Sequence, residues 1–109
     1  MATWDDVRRL GLALPEVDES TSYGAPALKV AGKTFANMSP SAPGALHVRV
    51  DPDERPFLLA SSPDVFFVTP HYDAWPGMLV RLDLVDERVL HELLEDAWAL
   101  RAPKRLLPG

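Results

Sequence analysis

The side chains in this sequence best suited to chemistry are cations set within alternating, strand-like segments. Leu28 and Val30 flank Lys29; Leu46, Val48 and Val50 alternate with His47 and Arg49; Val80 and Leu82 flank Arg81. Successive side chains of a strand point to opposite faces, so these four residues should share the side turned away from the core. Lys33 adds a further charge just after a tight turn at Ala31-Gly32. Cations gathered on one sheet face suit phosphate groups. Lys33 has the parity of Phe35 and Asn37, opposite to Thr34, Ala36 and Met38, and the pattern leaves open which set faces the core. With Lys33 and Phe35 outward, the face would join cations to an aromatic ring, a combination for phosphate contact plus base stacking. The plainer reading of the same residues is a solvated face of an antiparallel sheet.

A second group crowds the segment from Thr69 to Gly77, where His71, Tyr72, Asp73 and Trp75 lie close together in sequence. His71 and Asp73 are types that ligate metals or exchange a proton. Nothing in the sequence points to the further ligands a metal would need, so Tyr72 and Trp75 are expected to pin this loop to the core. The same loop is the alternative site, for a small molecule or a protein partner. No Ser-His-Asp set, phosphate loop or Gly-x-Gly-x-x-Gly motif is present, and there is no cysteine for thiol chemistry. No metal, cofactor or catalytic residue is therefore assigned, and binding is expected in preference to catalysis.

Composition narrows the partners. The 109 residues suit one domain, 1–109, with a core of its own. Eleven Lys and Arg stand against 16 Asp and Glu, a formal charge of −5. A nucleic-acid binder usually carries a basic excess, so binding here would require a local patch and should be weak and salt-sensitive. No apolar run approaches membrane-spanning length and no basic-then-apolar leader opens the chain, so no membrane partner is expected and a cytoplasmic location is the default.

The elements that must position these residues are legible from spacing. Thr3 with Asp6 resembles a capping box, and Val7, Leu10 and Leu14 follow as a helical stripe that Pro15 ends. Glu16 to Glu19 reads as an acidic connector, and Thr21 to Tyr23 as the start of the sheet. Ser22 to Met38 reads as a hairpin turning at Ala31-Gly32, with Pro26 confined to a strand start or an edge. Ala45 to Val50 and Met78 to Leu84 are cleanly alternating strands, the second placing Leu84 on the core side. A short helix capped by Asp53 runs to about Ala60, and Val65 to Val68 is a brief strand. Asp86 caps a last helix to about Arg101, whose buried stripe is Leu90, Leu93, Leu94, Ala97 and Leu100. His47 and His91 read as surface residues, while Trp4 and Trp98 read as covering the core. The order is α+β: an antiparallel sheet covered on one face by N- and C-terminal helices, with one short inserted helix.

Several ordered segments carry a resemblance. Leu14-Pro15-Glu16-Val17, Tyr23-Gly24-Ala25-Pro26, Lys29 through Ala36, Val65 through Tyr72, Asp96-Ala97-Trp98 and Ala102-Pro103-Lys104 together resemble the MmcQ/YjbR family over nearly the whole chain. Tyr23 stands where many relatives have Trp, and Ala25 where many have His, so any role of that His is absent. The resemblance implies a frataxin-like α+β sandwich, described in the family as a double-wing DNA-binding arrangement. On fold analogy alone, Asp5, Asp6, Glu16, Asp18 and Glu19 could be compared with the acidic iron-binding edge of frataxins. The expected function is a non-enzymatic DNA-binding module using Lys29, Lys33, Arg49 and Arg81. Arg101, Lys104 and Arg105 form the next basic cluster.

Overall fold

The computed structural model describes residues 2–22, 24–40, 42–69 and 77–107, with the backbone but not the side chain of residue 22. Thr3 opens helix α1 (Trp4–Leu12). Its amide donates to Asp6 Oδ2 at 2.9 Å, one half of the anticipated capping box. Strands β1 (Val17–Ser22), β2 (Ala25–Val30), β3 (Lys33–Met38) and β4 (Ala45–Arg49) follow, then helix α2 (Arg55–Ser61), strands β5 (Phe66–Phe67) and β6 (Gly77–Arg81), and helix α3 (Glu87–Arg101). The six strands form one antiparallel sheet in the order β1-β2-β3-β4-β6-β5. Helix α1 packs on β1 and β2 and against α3, which crosses β3 and β4. Leu28, Leu46, Val48, Met78 and Val80 meet Val7, Leu90 and Leu94 in one core between sheet and helices.

The hairpin turns at Ala31 and Gly32, with φ of 49° and 84°. Positive φ at both central residues is the geometry that matches the twist of the flanking strands. Pro26 is the second residue of β2, opposite Thr21 of the edge strand and before the ladder to β3 begins at Ala27. Between Leu28 and Lys29 the register shifts: Leu28 faces Ala36, Lys29 faces Thr34, and Phe35 is left as the extra residue of a bulge. The bulge resets the parity of β3. Phe35 and Ala36 are both buried in the core, so Phe35 is not a ring on the helix-free face.

Other expectations are also corrected. The acidic connector is the start of a strand: β1 begins at Val17, and the ladder to β2 pairs Asp18 with Lys29 and Glu19 with Leu28. Edge position tolerates these poor strand formers because one flank faces water. Helix α2 is capped by Glu54, one residue later than expected, because the Asp51 carboxylate accepts the Asp53 amide at 2.8 Å and holds Asp53 in the preceding turn. Strand β6 stops at Arg81, where the Leu84 amide turns back to the Arg81 carbonyl, leaving Leu84 exposed. On α3, Leu100 is exposed and Trp98 takes the buried place, its indole N–H donating to the Pro15 carbonyl at 3.0 Å. No helix among the described residues is long and apolar enough to cross a membrane.

Candidate functional site

Register decides where the candidate cations stand. Lys29 pairs with Thr34, and Lys33 with Val30, both next to the hairpin tip. Arg49 closes β4 opposite Gly77, at that same end of the sheet. Arg81 lies opposite Ala45, at the other end, about 13 Å along the strand direction. Its guanidinium sits 4.3 Å from the centroid of the Phe67 ring, a stacking contact that holds it against β5. The four cations thus do not form one patch: three gather at the hairpin end and Arg81 stands apart.

The strip between the two ends is not open. Ala27, Asn37, Ala45, His47 and Leu79 on the helix-free side are all buried. His47, expected at the surface, is only 6% exposed. The side-chain amide of Asn37 donates to the Met38 carbonyl at 3.0 Å, which leaves Asn37 Oδ1 to accept. His47 Nδ1 lies 3.3 Å from that oxygen, so the neutral ring carries its proton on Nδ1. Gly77 gives the imidazole room. A Cβ there would lie 2.8 Å from His47 Cε1 and 3.0 Å from the Val48 carbonyl. Burial first, and the nearby Arg49 charge second, push the His47 pKa down to about 4.

Sequence spacing did not reveal what joins the hairpin end from the helical layer. Helix α3 ends there, its Trp98 tied to Pro15 beside the residue that bonds the hairpin turn, which brings Arg101 to the same end of the molecule as Arg49, on the helical side of the sheet. Their chain neighbours Leu100 and Val50 line the same groove. Burial, with the Arg101 charge, lowers the Arg49 pKa. After α3, Arg105 forms a two-pronged ion pair with Glu16, whose carbonyl accepts the Ala31 amide at the hairpin turn. That pair fixes the adjacent, exposed Lys104 near the hairpin. Lys29, Lys33, Arg49, Arg101 and Lys104 therefore converge on one rim. The one available signal was the density of Arg101, Lys104 and Arg105.

The acidic residues compared above with an iron-binding edge are largely committed to arginines. Glu19 accepts from Arg8 at 2.7 Å and from the Trp4 indole at 3.3 Å, Asp6 pairs with Arg9, and Glu16 with Arg105. No group of three or more His, Asp or Glu among the described residues is placed to hold a metal ion. The loop group His71, Tyr72, Asp73 and Trp75 lies outside the described residues, as does Tyr23. A different concavity lies between α2 and α3, about 240 Å³ in volume, with Asp51, Glu54 and Asp96 above an apolar floor. Burial, then Glu95 and Glu92, raise the Asp96 pKa. The groove is smaller than the roughly 300–1,000 Å³ of ordinary ligand pockets.

Comparison with known proteins gives a consistent set. A family model described as YjbR matches residues 12–100. The uncharacterized protein Rv2570 of Mycobacterium tuberculosis is 36% identical over 121 residues, covering 98% of this chain and 94% of the relative. The uncharacterized protein Mb2600 of Mycobacterium bovis matches with the same figures. The crystal structure of protein DR2400 of Deinococcus radiodurans, which carries the domain DUF419, has a TM-score of 0.80 at 25% identity over 98% of this chain and 83% of that one.

Proposed function

The chain belongs to the YjbR family, and from that premise we propose that it is a non-enzymatic module that binds the phosphate backbone of nucleic acid, DNA first, along the rim at the hairpin end of the sheet. The observation that carries this reading is the convergence of Lys29, Lys33, Arg49, Arg101 and Lys104 from three strands, one helix and the turn after it. Phosphate contacts position a protein on nucleic acid without reading sequence. With Phe35 in the core, that ring cannot stack on bases, so binding depends on the backbone and little on sequence. The net charge of −5 sets the strength. Four or five phosphate contacts against an acidic surface place affinity near the weak end of non-specific binding, about 10⁻⁴ M.

Fluorescence anisotropy at low salt, with a labelled duplex and a labelled single strand, tests this. Binding should weaken in the Lys29→Glu, Lys33→Glu double variant and persist in Arg81→Glu. Absence of binding to either probe at protein concentrations near millimolar, in a folded sample, would overturn the proposal. The groove between α2 and α3 is a weaker basis for a small-molecule reading because of its size.

A further inference from the structure

The groove between α2 and α3 combines two features that occur together nowhere else among the described residues. The first is charge. Asp51, Glu54 and Asp96 stand over a floor that includes Val50 and Leu93, and no basic residue lines the space. Elsewhere Asp6, Glu16 and Glu19 are paired with arginines. Among the described residues no Lys or Arg forms an ion pair with any of the three groove carboxylates. The second is apolar surface left uncovered. Helix α2 buries none of its residues. Phe57, on the next turn from Glu54, is 77% exposed, the most exposed large apolar side chain among the described residues. On the α3 side Leu100 lines the groove and is 48% exposed. Exposed apolar side chains beside a polar rim mark an interaction surface.

We propose that this groove docks a basic amphipathic segment of a partner protein. One Arg or Lys side chain of that segment enters between the carboxylates and lays its alkyl stem on the apolar floor. Apolar neighbours of the inserted residue cover Phe57 and Leu100, as in recognition of an amphipathic helix by a groove. Charge complementarity selects a cationic occupant, and the net charge of −5 favours its approach. Volume selects a single side chain: about 240 Å³ is less than an ordinary ligand pocket offers but takes one long side chain. The proposal does not depend on nucleic-acid binding at the hairpin rim.

The test follows backbone amide resonances of the full chain as a short peptide of Arg and Leu at helical spacing is added. Saturable shifts should centre on Leu58, Ala99 and Leu100. Glu54→Gln with Asp96→Asn should weaken binding about tenfold, the worth of two good exposed ion pairs. Asp5→Asn with Asp18→Asn removes the same charge from α1 and β1, at the sheet edge opposite β5 and its neighbour α2, and should change binding little. Phe57→Ser should weaken it about fivefold through lost apolar contact. All three variants alter surface side chains, and their amide spectra confirm that they fold. Shifts that fail to saturate, or an equal loss in the two charge variants, would overturn the proposal. Equally tight binding of an oligo-arginine without leucine would also overturn it, reducing the groove to a charge effect. Equally tight binding of free arginine would make it a small-molecule site instead. A wild-type dimer in sedimentation equilibrium that Phe57→Ser dissolves would assign the groove to a second copy of this chain and overturn the foreign partner.

Discussion

At the scale of single residues, His47 shows how a strand pattern can place a side chain correctly and misjudge its surroundings. Alternation put it on the helix-free side, where it is. Its burial depends on Asn37 across one strand boundary and Gly77 across the other, and neither neighbour is visible in local spacing. The consequence is measurable. The folded pKa of about 4 lies below the ordinary 6.5. Between those values the unfolded chain binds a proton that the folded chain does not. Stability should thus be full above pH 6.5, fall as pH drops toward 4, and lose on the order of 3 kcal/mol from this group. Asp6, Glu16 and Glu19 also have lowered pKa values, and their losses overlap the acid end of that window. Urea unfolding of wild type and His47→Gln from pH 7 to 4 isolates the imidazole: the difference in stability between them should shrink or reverse as pH falls, and a constant difference would refute the assignment. Gly77→Ala should be destabilising by about 1–3 kcal/mol, because the Val48 carbonyl that the new methyl meets is backbone and cannot rotate away.

At the scale of elements, most of the fold was legible and the errors share a cause. The hairpin, the two alternating strands and both long helices followed from period and capping. Phe35 was left open and Leu84 and Leu100 were misplaced because each lies where regular periodicity breaks or runs out: at a bulge, past a strand end, and near a helix end. Pairing energy across the sheet, absent from local pattern, also made a strand of Val17 to Ser22. The hairpin turn yields a prediction of gain. Ala31 holds φ at 49°, which an ordinary side chain adopts at a cost and Asn adopts readily. Ala31→Asn should raise stability by about 0.5–1 kcal/mol, read as a higher denaturation midpoint with an unchanged slope. In the core, Leu93→Ala should cost about 2–5 kcal/mol and Val80→Ala somewhat less, through lost burial and a residual cavity. Both side chains are buried where their periods placed them.

At the scale of the whole molecule, charge is decisive. Among the described residues, Arg8, Arg9 and Arg105 form ion pairs with acidic side chains, so the rim cations supply most of the positive charge at the hairpin end. The candidate site was only partly legible for this reason: Lys29, Lys33 and Arg49 could be read from strand spacing, but their meeting with Arg101 depends on where a helix some 50 residues later comes to rest. Four or so neutralised phosphates should give a log–log slope of binding against salt of roughly −3 to −4. Anisotropy between low and moderate salt measures it, and Lys29→Glu with Lys33→Glu should flatten the slope. A slope near zero would mean that whatever binding is seen does not use this rim.

The long-range ties of α3 have a bearing on how the protein is made. Trp98 reaches back 83 residues to Pro15, and Arg105 reaches back 89 to Glu16. Every strand leaves the ribosome before the helix that shields Leu46, Val48 and Val80. Until α3 arrives, the nascent chain displays an apolar sheet surface with nothing to bury it, the kind of intermediate that chaperones capture. Ribosome-bound chains halted at Val85 should therefore be protease-sensitive and retained by holdase chaperones, while chains extended past Leu107 and clear of the exit tunnel should not.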